Sequence, residues 1–457
     1  MSAPDSAVVT TGEQASLLSG ARRAFLVRAA TLPVAAVAGL LAARVTVSTL
    51  GVGGYAIFAL VVGLAALNPI GDVGVGAAVT DAVARRHELG ADGVQRRLRT
   101  SLRVLMVVSL VVVLTVWALA ALGLWAPLLG VPRSQDVEVA VAVSLTLFAV
   151  GLPLGLSTCV LLGAERNDIA LAYQGGGGVV ALLVVLLAAA THAPLWAYVA
   201  GPSAGLALTS LVAWPMAAKA SGLSLSSAVR SAAVRSRPGA RISHLAGPML
   251  IITVTLPIAY QSDRLLLSHL SNLGQVASYS MGGQLFAPLA GMVASASMSL
   301  WPVFARRRVD RPVARHELIR LTAIFALVGL VLAVALVTVG PWVVQFVSKG
   351  KIEVGTGVFV AFGLLLVVQS SWFSTGMLLT DRDGLRFQAV THVVMVVINL
   401  AVSALLAQRI GAAGPIIGSL VALVVAVWIP GMWRALSHAQ SRPIEPVGLE
   451  VAGSGDL

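Results

Sequence analysis

Long apolar runs alternate with short polar segments along the whole chain. One run, LAGPMLIITVTLPIA (residues 245–259), is followed at once by the polar segment YQSDR (residues 260–264). A helix of about 20 mostly apolar residues is long enough to cross the hydrocarbon core of a bilayer. The pattern predicts an all-α integral membrane protein with twelve spans, at residues 24–44, 54–76, 101–124, 138–162, 170–190, 195–217, 244–268, 276–304, 319–346, 354–379, 388–408 and 413–433.

The composition excludes an ordinary soluble domain. Of the 457 residues, 58% are hydrophobic and 11% are charged, and the mean hydropathy is +0.91. Soluble domains carry about 25% charged residues. The single cysteine, Cys159, lies inside an apolar run, allows no intramolecular disulfide, and is expected to be a buried inert thiol.

The basic residues are distributed unevenly between the two sides of the predicted membrane protein. If the N-terminus is cytoplasmic, 24 of the 31 Lys and Arg fall at or between the cytoplasmic ends of the spans. This bias predicts a multi-pass protein of the cell membrane with both termini in the cytoplasm. Because basic residues at these positions orient the protein and meet anionic membrane lipids, the net charge of +12 does not require a nucleic-acid partner.

The longest polar break lies near the middle of the chain, between the sixth and seventh predicted spans. It divides the chain into an N-terminal six-helix half (1–220, with a polar cytoplasmic tail at 1–20), a cytoplasmic linker (221–243), a C-terminal six-helix half (244–437) and a second polar tail (438–457). Both tails are polar and are expected to be disordered.

A short sequence pattern recurs after the first span of each half. STLGVGGYAIFAL (residues 48–60) and SNLGQVASYSMGGQL (residues 271–285) both contain Ser-x-Leu-Gly followed by a Tyr. Two six-span repeats have the same orientation, so they are related by a pseudo-two-fold axis along the membrane normal, and a substrate cavity is expected between them.

Two charged residues lie at the end of the seventh span. The apolar run before Tyr260 is too short to cross the bilayer alone, so the span includes Asp263 and Arg264. Neighbouring helix positions point about 100° apart, so each charge needs its own partner: another helix, water or a ligand. We interpret both as the polar lining of a cavity near its outer mouth. In the alternative interpretation they lie at the outer interface, with Arg264 reaching the lipid headgroups.

Three further charged residues fall within the first two spans. In one interpretation Arg28 holds a pyrophosphate in a cavity, because the forked donors of its guanidinium match that group. In the other interpretation its side chain extends back to the cytoplasmic interface. Arg44 lies near the outer end of the same span and is interpreted as a second cavity arginine, which with Arg28 and Arg264 would neutralise an anionic headgroup. Asp72, which has glycines on both sides, either pairs with Arg44 or ends a broken helix.

Neutral polar residues supply weaker candidates for the same cavity. They are Gln284 in the eighth span, Gln369 in the tenth, and His392 with Asn399 on one face of the eleventh. Hydrogen bonds between helices explain each of them equally well.

Motifs for covalent chemistry are missing from the sequence. It contains no Walker motif, no HExxH, no CxxC and no cluster of carboxylates. The glycine run 175–178 is not followed by Lys-Ser or Lys-Thr and is expected to allow close helix packing or a bend. We therefore predict that the protein is not an enzyme and has no catalytic residues, cofactor or metal site.

Three segments resemble a known family. AARVTVSTLGVGGYAIFAL (residues 42–60), NPIGDVGVGAAVTDAVARR (68–86) and SDRLLLSHLSNLGQVASY (262–279) are similar to segments of Wzx-type polysaccharide flippases. The larger superfamily also holds MurJ-like lipid II flippases and multidrug exporters. The resemblance implies that the protein moves undecaprenyl-pyrophosphate-linked oligosaccharides across the cytoplasmic membrane for cell-surface polysaccharide biosynthesis. It also implies the polysaccharide assembly machinery as a partner.

Two alternatives belong to other functional classes. A cation-coupled multidrug (MATE-like) antiporter is disfavoured because the first span has two arginines and no carboxylate. A membrane glycosyltransferase or polymerase is disfavoured because the external loops are short.

Overall fold

The computed structural model of the protein is almost entirely helical. It describes residues 11–66, 75–222, 247–298, 300, 304 and 313–438. Within these residues the α-helices, numbered in chain order, are α1 Thr11–Ala66, α2 Val75–Ala84, α3 Arg86–Ala121, α4 Trp125–Leu128, α5 Gln135–Gly163, α6 Asn167–Ala190, α7 Leu195–Ser221, α8 Gly247–Leu270, α9 Leu273–Ser297, α10 Arg315–Ser348, α11 Thr356–Leu378, α12 Arg382–Ile410, α13 Ala413–Ala422 and α14 Ile429–His438. A π-helical segment, Leu423–Trp428, joins α13 to α14.

The outer faces of the long helices are apolar, as in a protein surrounded by lipid. Leu114 on α3 and Val331 on α10 are each 62% exposed. Among the described residues, nine helices are long and apolar enough to cross a membrane. These observations confirm the predicted all-α membrane fold. The count of twelve spans stays a prediction, since α1 covers the first predicted span and part of the second, and residues 67–74 lie outside the described part of the chain.

The repeated segment, Leu-Gly followed four or five residues later by a Tyr, contains a break between helices in both places. In α1 the helical path is interrupted at Gly51, whose φ of 72° favours glycine because a side chain would be strained there. In the second copy α8 ends at Leu270 and α9 begins at Leu273, with the side chain of Asn272 accepting a hydrogen bond from the Gln275 amide at 3.0 Å. The same short pattern therefore produces a helix break by two different local means.

The order of packing partners is the same in the first seven and the last seven helices. In the N-terminal group (α1–α7), helix α1 packs on α6. Both α5 and α6 pack on α7, and α3 packs on α5. In the C-terminal group (α8–α14), helix α8 packs on α12. Both α11 and α12 pack on α13, and α10 packs on α11. The two groups meet where α1 contacts α8, α9 and α10. The predicted boundary at the linker 221–243 is not tested, because residues 223–246 lie outside the described ranges.

Part of the predicted N-terminal tail is helical in the structure. Helix α1 begins at Thr11 and includes residues 11–20, and the assignment of residues 1–20 to a cytoplasmic tail stays a prediction. The sequence from Thr11 contains Gln, Ala, Leu and Arg, which are compatible with a helix, and it continues without a break into the first span.

Glycines allow α6 and α7 to approach closely, as expected for the run 175–178. A Cβ atom on Gly205 of α7 would overlap the carbonyl oxygen of Gly177 on α6. Close contact between helix backbones is a common way of packing helices in membranes.

Candidate functional site

A cavity of about 440 Å³ lies where the two groups of helices meet. Its walls come mainly from α1 and α9, and α8 contributes Arg264. Four of the lining residues have polar side chains, Tyr55, Arg264, Ser280 and Gln284, and the others are small or apolar. The cavity therefore combines an apolar wall with one positive charge.

The guanidinium of Arg264 is held at one side of this cavity. Its Nη1 donates a hydrogen bond to Oε1 of Gln261 at 2.5 Å, and its Cζ lies 6.0 Å from the centre of the Tyr279 ring. Gly63 on α1 makes room for it, since a Cβ there would lie 2.7 Å from Nη1. The buried Nε has no hydrogen-bond partner. An unused donor on a permanent cation suits an anionic group such as a phosphate.

The lining of the cavity also contains a hydrogen bond between the two groups of helices. Tyr55, which is 2% exposed, donates to Oε1 of Gln284 at 3.2 Å. The hydroxyl of Ser280 is buried without a partner. These neutral groups can accept and donate hydrogen bonds to a polar ligand.

Asp263 lies outside this lining, in a polar network within the C-terminal group. Its side chain is fully buried, and Oδ2 accepts hydrogen bonds from Tyr279 at 3.0 Å and Ser419 at 3.1 Å. Ser419 in turn accepts from Nδ2 of Asn399 at 2.7 Å, and Ser403 donates to Oδ1 of Asn399 at 2.9 Å. The second carboxylate oxygen of Asp263, Oδ1, has no partner. The network joins α8, α9, α12 and α13 inside one group of helices.

Asp263 and Arg264 thus lie in different environments, although they are adjacent in sequence. Within the described residues they form no ion pair with each other. Asp263 has helix partners and Arg264 faces the cavity, which agrees with the expected divergence of neighbouring helix positions.

A second, largely apolar crevice of about 340 Å³ lies next to the cavity. Arg28 lines it, with a buried Nε that has no hydrogen-bond partner. Leu32 of α1 lines both the crevice and the cavity, so the two spaces lie side by side along α1. The outer wall includes Met292 of α9 and Val328 of α10, whose side chains are 49% and 45% exposed on the lipid-facing surface.

Other predicted site residues have protein partners in the structure. Arg44 was interpreted as a cavity arginine, but it is not among the residues that line the cavity. Its Nη1 donates to the backbone oxygen of Phe346 at 3.2 Å, and its Cζ lies 4.4 Å from the centre of the Phe346 ring. Arg44 therefore joins the end of α10 to α1, because its planar cation both stacks and donates.

Three further candidates also lie away from the cavity lining. His392 is 4% exposed and its Nδ1 donates to the Gln388 carbonyl at 2.7 Å. Gln369 on α11 has a buried Oε1 without a partner. Asn399 belongs to the Asp263 network described above. Asp72 lies outside the described residues.

Sequence reasoning missed several polar residues around Arg264 and Asp263. Tyr55 and Tyr279 were noted as part of the repeat, yet neither was proposed for the site, and Ser280, Ser403 and Ser419 were not singled out at all. The signal for the tyrosines was available, since both follow Leu-Gly at a helix break. No sequence signal distinguished the serines, because serine is common in membrane helices.

Comparison with known proteins places the chain in a family. Residues 24–308 match the family described as "Polysaccharide biosynthesis protein", and the chain belongs to that family. No curated protein matches the chain in sequence.

Solved structures share the fold at low sequence identity. An inward-facing multidrug resistance MATE family transporter of the MOP superfamily is 16% identical, with a TM-score of 0.63, over 90% of this chain and 98% of its own. The lipid II flippase MurJ in an inward closed conformation is 12% identical, with a TM-score of 0.63, over 90% of each chain. A variant of the Vibrio cholerae MATE transporter VcmN is 17% identical, with a TM-score of 0.61, over 93% of this chain and 97% of its own. The protein is therefore a multi-pass membrane protein of the polysaccharide biosynthesis family, and its fold is similar to that of these transporters and of this flippase.

Proposed function

We propose that the protein moves undecaprenyl-pyrophosphate-linked oligosaccharide units from the cytoplasmic to the outer leaflet of the cell membrane. The observation that carries the proposal is the pair of buried, unpartnered guanidinium nitrogens in adjacent spaces. Arg264 lines the polar cavity and Arg28 lines the apolar crevice, and in each side chain the buried Nε has no hydrogen-bond partner.

The two spaces together match an amphiphilic anion. The pyrophosphate and the sugars of such a lipid require cations and neutral hydrogen-bonding groups, which Arg264, Tyr55, Ser280 and Gln284 supply. Its long hydrocarbon chain requires an apolar surface open to lipid, and the crevice bounded by α9 and α10 has that character.

In this proposal the protein performs no covalent chemistry. The two groups of helices rock relative to each other, and the contacts between α1 and α8, α9 and α10 are remade as the cavity changes side. The polysaccharide assembly machinery then uses the lipid-linked unit on the outer face. Both termini lie in the cytoplasm.

The test uses lipid extracts from cells that lack the gene. We expect undecaprenyl-linked oligosaccharide to accumulate, protected from glycosidase added outside the cell. Wild-type protein relieves the accumulation and Arg264→Ala does not. The matched control is Arg409→Ala, because Arg409 is an exposed arginine in the last turn of α12. If the lipid does not accumulate in the deletion strain, the proposal fails.

A second candidate function is cation-coupled export of drugs, and one observation favours it. Asp263 is a fully buried carboxylate with an oxygen that has no partner, and such groups in membrane helices commonly take up a cation or a proton. If the deletion alters drug sensitivity without accumulation of lipid-linked sugar, and Asp263→Asn reproduces that change, this candidate replaces the first.

A further inference from the structure

A third cavity is separate from the two spaces described above. It has a volume of about 640 Å³ and lies between the end of α3 and the start of α5. None of the residues that line it lines the central cavity or the apolar crevice. Its polar lining consists of Trp117, Arg133, Ser134, Gln135 and Glu138. We call it the outer pocket, because sequence analysis predicts that this end of α3 and α5 lies at the outer side of the membrane.

Two sets of hydrogen bonds give the outer pocket a fixed shape. The Glu138 carboxylate of α5, which is 8% exposed, accepts from the backbone amides of Trp125 at 3.0 Å and Ala126 at 2.8 Å, and this holds α4 against α5. The indole of Trp117 on α3 donates to the Thr146 hydroxyl on α5 at 3.0 Å, which fixes the ring across the two helices. The pocket is therefore formed without a ligand, as most small-molecule sites are.

Two polar side chains of the outer pocket are free to bind a ligand. Arg133 and Gln135 are exposed, and among the described residues neither side chain makes a hydrogen bond or an ion pair. A guanidinium has forked donors that match the oxygens of a phosphate group. The side-chain amide of Gln135 can donate to the same group.

Carboxylates near Arg133 restrict the charge of such a ligand. Glu138 lines the pocket, and Asp136 is exposed in the first turn of α5. Each carboxylate oxygen has about two acceptor sites, and each Glu138 oxygen accepts one hydrogen bond from α4, so acceptor capacity remains. Because these carboxylates repel a purely anionic headgroup, a zwitterion with a phosphate and a primary ammonium is the better match to the pocket.

An apolar stripe on α3 leads to the outer pocket. Val107, Leu110 and Leu114 recur at helical spacing and are 61%, 59% and 62% exposed, and Trp117 continues the stripe and lines the pocket. The helix rises about 15 Å from Val107 to Trp117, which is half of a hydrocarbon core of about 30 Å. Tryptophan is typical of the level of the lipid headgroups. The stripe therefore has the length of one leaflet, and the pocket lies where the headgroup of a lipid packed on it would be.

We propose that the outer pocket binds the headgroup of an outer-leaflet phospholipid that carries a primary ammonium, of the phosphatidylethanolamine class. The phosphodiester contacts Arg133 and Gln135, the ammonium lies toward the Glu138 carboxylate, and one acyl chain follows the stripe on α3. The inference rests on the membrane-spanning fold and does not depend on what the central cavity transports. Its failure would leave the proposed function unchanged.

The test locates the lipid by photocrosslinking to the full-length protein. The protein is reconstituted in nanodiscs of phosphatidylcholine that contain a small fraction of phosphatidylethanolamine with a diazirine near the glycerol. Crosslinked peptides are identified by mass spectrometry. The reference is the outer end of α10, where Trp342 is 67% exposed on the same predicted side of the membrane. We expect crosslinks to be enriched at the ends of α3 and α5 over this reference. Unlabelled phosphatidylethanolamine should compete for them, and phosphatidylglycerol should compete much more weakly.

Two arginine variants separate a specific site from general contact with lipid. Arg133→Gln is expected to lower crosslinking at the pocket about fivefold, as for the loss of one partly exposed charge pair. The control is Arg409→Gln, because Arg409 is an exposed arginine in the last turn of α12, on the same predicted side. It should keep the wild-type yield, and both variants should keep the wild-type midpoint of thermal unfolding.

Three results would each overturn the proposal. Crosslinks equally frequent at the pocket and around Trp342 would mean that the lipid forms only a general layer around the protein. An equal loss in Arg133→Gln and Arg409→Gln would mean that the effect is one of net charge. Equal competition by phosphatidylglycerol would mean that the pocket does not select a zwitterionic headgroup.

Discussion

The hydroxyl of Tyr55 on α1 donates a hydrogen bond of 3.2 Å to Oε1 of Gln284 on α9, and this bond joins the two groups of helices at the wall of the cavity. Both residues line the space that contains Arg264. The contact therefore holds the two groups of helices together and shapes the cavity.

Replacing this tyrosine should weaken the contact between the groups without unfolding either. Tyr55→Phe keeps the buried ring and removes one hydrogen bond, with an expected cost of about 0.5–1.5 kcal/mol in stability. The measurement is the midpoint of thermal unfolding of the purified protein. Tyr173→Phe is the control, because Tyr173 is a partly buried tyrosine whose hydroxyl has no partner among the described residues. Equal midpoints for both variants and the wild type would contradict the prediction.

The buried carboxylate of Asp263 should be replaceable by an amide but not by a hydrocarbon. It accepts hydrogen bonds from Tyr279 and Ser419, and an amide oxygen at the same position can accept both. Asp263→Asn should therefore fold. Asp263→Leu leaves two buried donors without acceptors, at an expected cost of about 1–3 kcal/mol for each.

The yield of monodisperse protein on size-exclusion chromatography measures this difference. The Asn variant is expected near the wild-type yield and the Leu variant well below it. A Leu variant as stable as the Asn variant would mean that the two hydrogen bonds are unimportant for folding.

The sequence was sufficient to predict the membrane class and the presence of charges inside a span. Both depend on local quantities: the length of apolar runs, the distribution of Lys and Arg, and the 15 residues available before Tyr260. The divergence of Asp263 and Arg264 also followed from helix geometry alone.

The partners of these charges were not predictable in the same way. Which helix faces Asp263 depends on the packing of α8 against α9, α12 and α13, and the residues that meet there are separated by up to 156 positions. Arg44 shows the same limit. A charge near the end of a span is visible in the sequence, but its contact with Phe346, 302 residues away, depends on tertiary structure.

The close packing of α6 and α7 gives a test of the fold that is independent of the cavity. Gly205→Ala places a methyl group on the Gly177 carbonyl and should force the two helices apart, at a cost of about 1–3 kcal/mol. Gly176→Ala is the control, because a Cβ there meets its nearest neighbour, the Thr209 methyl, at an ordinary 3.6 Å. Thermal unfolding of the two variants should differ, and an equal effect of both would contradict the observed contact.

Replacing Arg264 should lower the affinity for the lipid, whereas replacing Arg44 should lower thermal stability. Arg264 lines the cavity with a free donor, so Arg264→Gln should weaken the binding of a pyrophosphate-bearing prenyl lipid by about tenfold or more. Arg44 stacks on Phe346 and donates to its carbonyl, so Arg44→Gln should lower the thermal unfolding midpoint and leave the affinity unchanged. Both variants remove one positive charge, so they are matched in net charge. Titration of purified protein with the lipid, followed by tryptophan fluorescence, measures the affinity. Equal loss of affinity in both variants would return Arg44 to the cavity, where the sequence had predicted it.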